Sequence, residues 1–206
     1  MCGIFAHLSK EPIRQKISQA NNISLRGPDH TSYNQVSENV SLCFHRLKIN
    51  DLSDDGNQPI VLEDISLICN GEIYNSDELK KEFDVKWTSN SDCEVLPHVY
   101  KKYGFKHMMD KIDGVFAIIL FHESEKRVYV GRDPFGVRPM FFGYDNYQIQ
   151  IASEMKGIDP ILNVIQFPPG HYVSIDVKML RTMYSNKCVP IKYFHMNQYE
   201  EVISYD

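Results

Sequence analysis

The first residues of the chain and a short run near its middle have the types that acyl-transfer chemistry requires. Met1 is followed by Cys2 and Gly3. A small side chain in second place generally permits the initiator Met to be removed, and Cys2 would then carry a thiol and a free α-amine on one residue. The ordinary pKa of such an amine is about 7.7–8.0, against about 8.5 for the thiol. At neutral pH the amine is partly unprotonated and can accept the thiol's proton, directly or through a water. One residue then supplies nucleophile and base, and no histidine is needed. Gly3 leaves room for a carbonyl to approach the backbone. The competing reading makes Cys2 a small buried hydrophobe.

Asn70-Gly71-Glu72-Ile73-Tyr74-Asn75 follows the apolar Leu67-Ile68-Cys69. A strand ending in Asn-Gly can aim the Asn70 amide NH2 and the Gly71 backbone N–H in one direction, which is an oxyanion hole; the alternative is a plain Asn-Gly turn. Arg46 interrupts an apolar strand in Phe44-His45-Arg46-Leu47. Its fork of donors suits a carboxylate ligand, and a structural ion pair suits it nearly as well. Asp92 opens a helix, where an acid complements the dipole by default.

The elements that must hold these residues are mostly strands. Residues 2–8 read as a strand beginning almost at the terminus, and Val40–Leu47 and Ser66–Cys69 as two more. Further strands are expected at Val115–His122, Arg127–Val130, Met140–Tyr144, Gln148–Ala152, Val173–Asp176 and Thr182–Tyr184. Tight connections at Glu123–Lys126 and Asp145–Asn146 imply antiparallel hairpins. Pro12 to Ala20 has apolar residues at helical spacing. Asn75-Ser76-Asp77-Glu78 and Ser91-Asp92-Cys93-Glu94 read as capped helix starts, with Pro97 expected to kink the second helix. Strands mixed with helices gathered in the first half predict an α+β fold with antiparallel sheets.

The 206 residues suffice for one domain with a full core. A net charge of −5 without a dense basic stretch argues against nucleic acid. No run of apolar residues is long enough for a membrane span, and the N-terminus lacks the basic lead of a signal peptide. Five cysteines without C-x-x-C spacing disfavour both zinc and a disulfide framework, so we expect no metal and a cytoplasmic protein. Among the histidines, His45, His98, His107, His122, His171 and His195 lack paired ligand spacing and are read as packing or surface groups. Phe135, Phe141, Phe142 and Tyr144 are expected in the core; Arg132, Asp133 and Arg138 sit in a loop that could contact a partner, with a local salt bridge the favoured reading.

The ordered motifs form a larger pattern. Cys2-Gly3-Ile4-Phe5-Ala6, Arg26-Gly27-Pro28-Asp29, His45-Arg46-Leu47, Gln58-Pro59 and the Asn70–Asn75 run come first. Ser91–Glu94, Asp113–Ala117, Gly131–Pro139, Ser153–Lys156 and Phe167–Tyr172 follow. The chain resembles the class II glutamine amidotransferase domain of the N-terminal nucleophile hydrolases, most of all the N-terminal glutaminase domain of glutamine-dependent asparagine synthetase. The match covers about residues 2–185 of a domain running from 2 to 206, with a polar tail.

The resemblance implies a four-layer α-β-β-α sandwich of two antiparallel sheets between helices. It implies no cofactor, and attack of Cys2 on the side-chain amide of L-glutamine through a thioester. Asn70 and Gly71 would form the oxyanion hole. Arg46 would bind the substrate carboxylate, Asp92 and Glu72 its ammonium, and backbone at Ile49 and Asn50 would line the pocket. The family usually has His before Arg-Gly-Pro-Asp, where this chain has Leu25; we expect little effect on the thiol chemistry. Neither a Ser-Gly-Gly-x-Asp-Ser loop nor a P-loop occurs, so the synthetase domain is expected to be absent. The ammonia would then pass to a separate ATP-dependent synthetase chain, the other possibility being a lost C-terminal synthetase domain. Two alternatives are hydrolysis of another γ-glutamyl bond and, if Met1 is retained, a non-catalytic partner-binding module.

Overall fold

The computed structural model describes residues 1–10, 18–181 and 190–194. Its strands are β1 (Gly3–Ser9), β2 (His30–Ser37), β3 (Val40–Arg46), β4 (Ile60–Leu62), β5 (Ile65–Ile73) and β6 (Gly114–His122). They continue with β7 (Arg127–Arg132), β8 (Phe141–Tyr144), β9 (Gln148–Ala152), β10 (Asn163–Gln166), β11 (His171–Asp176) and β12 (Ile191–Lys192). One antiparallel sheet runs β10-β8-β9-β1-β3-β2, the other β12-β11-β7-β6-β5-β4. The expected α+β fold with two antiparallel sheets is what forms. The hairpins at Glu123–Lys126 and Asp145–Asn146 join β6 to β7 and β8 to β9.

Period-2 alternation decides which side chains meet. Ile4, Ala6 and Leu8 of β1 and Leu42 and Phe44 of β3 face Ile68, Ala117, Ile119 and Phe121 of the other sheet, making the inter-sheet core. The alternate residues Cys69, Ile73, Phe116, Ile118 and Leu120 face the helical side. There they pack on α1 (Ser76–Lys80) and α2 (Val95–Lys111) through Leu79, Leu96, Val99 and Met108. Burial on both faces explains why β6 is apolar nearly end to end.

The outer face of the first sheet, where the other helical layer is expected, is described only in part. Among the described residues its cover is two 3-10 segments, Ser18–Arg26 and Met155–Gly157, packing through Ala20, Ile23 and Ile158. The expected helix at Pro12–Ala20 falls mostly outside the described residues, as do His195 and the expected strand at Thr182–Tyr184.

Three local expectations change. The Asn75 side chain does not cap α1; its Nδ2 donates to Lys111 O at 2.9 Å and its Oδ1 accepts from Asp113 N at 3.0 Å. It therefore ties the start of α1 to the end of α2. Pro97 sits in the first turn of α2, where it is tolerated. The break comes at Gly104, with φ 78° and ψ 166°, a backbone state that only glycine adopts cheaply. Of the aromatic group, Phe142 and Tyr144 join the inter-sheet core. Phe141, one residue out of phase, packs on the outer face, and Phe135 lies 69% exposed on a loop.

Replacing Asn75 by Ala removes both bonds across the base of the helical excursion. We expect a loss of about 1–3 kcal/mol of stability, read as a lower urea midpoint at unchanged slope.

Candidate active site

The alternation that builds the core also aims the chemistry. Cys2 shares the phase of Ile4, and Arg46 the phase of Phe44, so both side chains turn into the gap between the sheets. From the opposite sheet, Asn70 and Glu72 share the phase of Ile68 and turn into the same gap. At one end of the sandwich the gap opens as a cavity of about 120 Å³, on the scale of one amino acid. Cys2, Arg46, Ile49, Asn50, Asn70, Gly71, Glu72 and Asp92 all line it, with Met1 at its edge.

Cys2 is held on every side. Its Sγ accepts from Leu47 N at 3.4 Å, and its carbonyl accepts from Arg26 Nε at 2.9 Å. Next in line, Ile4 N donates to Ser153 Oγ at 3.0 Å. Burial pushes the thiol above its ordinary value; the Leu47 N–H, the charged amino terminus and Arg46 pull it down less strongly. The thiol therefore remains protonated near neutrality and needs a base to react.

The placement of the Asn70 and Gly71 donors follows from where β4 stops. β4 covers β5 only across Ile65–Leu67. Beyond it Gln58 stands in for a strand: its Nε2 donates to Cys69 O at 3.2 Å and its Oε1 accepts from Cys69 N at 2.6 Å. Two residues on from Gly71, Ile73 N donates to Asp92 Oδ2 at 2.6 Å. Residues 69, 71 and 73 point their backbone groups to the same edge in an antiparallel ladder. The Gly71 N–H therefore points into the cavity between two groups that are already satisfied. Gly71 is required because a Cβ there would lie 2.4 Å from Val115 O and 2.8 Å from Phe116 Cα. Beside it the Asn70 Nδ2 is buried with no hydrogen-bond partner. These donors do not form a simple turn; they lie within a strand paired to β6 through Asn70–Ala117 and Gly71–Phe116.

Among the described residues Arg46 makes no ion pair; its side chain organises a loop instead. Its Nη1 donates to Ser53 O at 2.6 Å and Asn57 Oδ1 at 2.8 Å, and its Nη2 to Asp51 O. The guanidinium thus folds the 51–57 loop around itself while lining the cavity. Gly56 makes room for it, since a Cβ there would sit 2.2 Å from Nη2. Asp51 then links this loop to the next wall: Oδ1 accepts from Ser53 N and Oγ, and Oδ2 from Asn90 N at 2.8 Å. The Ser53 hydroxyl, then the Asn90 and Ser53 N–H groups, hold the Asp51 carboxyl below its usual range.

Asp92 hangs from that second wall, with Oδ1 accepting from Asn50 Nδ2 at 3.1 Å. Ser91 caps the turn by accepting from Cys93 N, but Glu94 does not close a capping box. It accepts instead from the N–H and hydroxyl of both Thr88 and Ser89. Burial alone would raise the Glu94 carboxyl, and those donors outweigh it and hold it low. Leu25, the departure from the family's usual His, is 86% exposed. Among the described residues no group of three or more His, Cys, Asp or Glu is arranged to hold a metal ion.

Sequence reasoning assigned no role to Arg26, Asp51, Gln58 or Ser153, and it read Arg138 as held by a local salt bridge, whereas its ion-pair partner is the distant Glu72. Arg26, Gln58, Ser153 and Arg138 do lie in the quoted motifs, which was the available signal. Asp51 carried none.

A family described as the glutamine amidotransferase domain matches residues 1–203. The asparagine synthetase [glutamine-hydrolyzing] of Mesocricetus auratus is 36% identical over 192 residues, 86% of this chain and 34% of that protein. The probable asparagine synthetase [glutamine-hydrolyzing] of Acanthamoeba polyphaga mimivirus is 32% identical, over 98% of this chain and 38% of its own length. The chain thus spans little more than a third of these relatives. In fold it is similar to the glutamine phosphoribosylpyrophosphate amidotransferase of B. subtilis, with TM-score 0.67 and 19% identity over 85% of this chain and 47% of that one. With the family match across nearly its whole length, the chain belongs to the glutamine amidotransferase domain family.

Proposed function

We propose that this domain hydrolyses the side-chain amide of free L-glutamine to glutamate and ammonia, with Cys2 as nucleophile once Met1 is removed. The observation that carries the reading is the Asn70 Nδ2, buried and without a partner in the cavity that also holds the Cys2 thiol and the Gly71 N–H. A buried donor left open costs about 1–3 kcal/mol unless a ligand meets it. An oxyanion would meet it.

In this mechanism the α-amine of processed Cys2 accepts the thiol proton as Sγ attacks the amide carbon. Asn70 Nδ2 and Gly71 N–H donate to the oxyanion that forms. The amine returns the proton to the leaving nitrogen and ammonia departs, leaving a γ-glutamyl thioester on Cys2. A water, deprotonated by the same amine, cleaves the thioester and releases glutamate. Arg46 holds the substrate α-carboxylate, while Asp92 and Glu72 hold the α-ammonium and Ile49 and Asn50 line the pocket. Free glutamine differs from a protein-bound amide only in those two charges, so a pocket carrying both signs suits it. Met1 edges the cavity and is half-exposed, so its removal would leave the new amine beside the thiol.

The similarity to asparagine synthetases supports an acceptor of that type for the ammonia, on an ATP-dependent synthetase chain or domain that works with this one. Co-purification that never recovers such a protein would count against a separate chain.

Cys2→Ala should release no ammonia from glutamine while folding normally; release at the wild-type rate would refute the nucleophile. For Asn70→Ala we expect kcat to fall about 10²–10³-fold, with a smaller change in KM, in a coupled glutamate assay. The pH profile carries its own sign. Because burial keeps the thiol protonated, the rate depends on the amine being unprotonated. kcat/KM should therefore rise through neutral pH and level off above about pH 8. A profile that falls across that range would exclude the amine as base.

A further inference from the structure

Arg138 comes from the loop after β7 and is bonded to no group of the mechanism except Glu72. That loop is fixed by a buried pair. Asp133, fully buried, accepts from Phe135 N at 3.1 Å and Val137 N at 2.9 Å through Oδ1, and from Arg138 N at 3.0 Å through Oδ2. Arg132, 2% exposed, donates to the carbonyls of Arg138 at 2.8 Å, Gly136 at 2.8 Å and Phe167. Gly136 turns the loop at φ 67°. The backbone of Arg138 is thus gripped at its N–H by one residue and at its carbonyl by the other.

So held, Arg138 reaches the cavity wall, its side chain 13% exposed. Its Nη2 lies 3.4 Å from Glu72 Oε1. Its Nε is buried and unpartnered. Glu72 is the looser partner, its side chain 42% exposed on a strand end. One carboxylate oxygen therefore faces a fixed cation, and Oε2 remains for another donor.

We propose that Arg138 is a positioning residue for substrate selection: it pins Glu72 Oε1 so that Oε2 meets the α-ammonium of the substrate. The inference rests on the glutaminase reading of the cavity and adds to it the reason that two cations, Arg46 and Arg138, line a pocket for a zwitterion. Unpaired, the Arg138 guanidinium would repel the substrate ammonium; paired, its charge is spent on Glu72, and Arg46 alone is left for the carboxylate.

The experiment compares glutamine with 4-carbamoylbutanoate, the same amide and carboxylate without the amine, on the processed protein. Arg138→Gln should raise KM for glutamine about tenfold and change kcat less than threefold. For 4-carbamoylbutanoate, kcat/KM (or Ki against glutamine where turnover is slow) should change less than threefold. Glu72→Gln should show the same split, and the double variant should be no worse than Glu72→Gln alone. Equal losses on both substrates, or effects that multiply in the double variant, would mean a merely structural role and overturn the inference. An active wild type with an Arg138→Gln enzyme of unchanged KM would overturn it alone. A wild type that releases no ammonia from glutamine would overturn both readings.

Discussion

The site depends on a stretch of β5 that has no neighbouring strand on one edge. A sheet edge presents N–H and C=O groups in pairs, and each buried one must find a partner. Here β4 ends early, the Gln58 amide substitutes at Cys69, and the Asp92 carboxylate substitutes at Ile73. Between them the Gly71 position is left facing the cavity. The gap in the ladder and the proposed oxyanion site are the same feature. Any strand that completed the pairing would also take the Gly71 N–H away from the cavity.

Polar groups around that gap are held by other polar groups. Arg46 folds the 51–57 loop, Asp51 joins that loop to Asn90, and Glu94 fixes Thr88 and Ser89 beneath it. On the other side Arg26 and Ser153 hold the backbone of residues 2–4. Such a shell keeps donors aimed before a ligand arrives, so little reorganisation remains to be done on binding. It also explains why charged residues sit at the end of an otherwise apolar sandwich without unfolding it: each has its partners at hand.

Much of this was legible in the sequence because period 2 was legible. The phases of Ile4, Phe44 and Ile68 decide that Cys2, Arg46 and Asn70 converge, and those phases can be read from the apolar residues alone. Less legible were strands without alternating apolar residues. β2 (HTSYNQVS) has mixed burial along its length, and β4 and β10 are short edge pieces that only their neighbours define. Asn75 looked like a cap because its local pattern fits one, yet its bonds are to Lys111 and Asp113, far along the chain. Asp51 was unreadable because Asn90 lies in a loop that only the tertiary fold brings near. Glu94 read as a capping-box acid, although its donors, Thr88 and Ser89, lie just upstream in the chain. Arg138 read only as part of a locally held loop, since Glu72 lies far along the chain on β5.

The helical excursion between β5 and β6 leaves and returns at a single point. Tyr74 N donates to Asp113 O at 2.8 Å, directly beside the Asn75 bonds, while β5 and β6 stay in register from Ile65–His122 to Ile73–Gly114. Everything from α1 to α2 is therefore a closed handle on a continuous hairpin. Its buried face is packed on those strands through Leu79, Leu96, Val99 and Met108, so only its exposed parts can lengthen, shorten or be recast without moving them. Asp92 rides on the handle, whereas Cys2 and Asn70 belong to the strands. Under the proposed mechanism, ligand admission can thus be retuned from those exposed parts, while the proposed nucleophile and oxyanion donors stay with the strands.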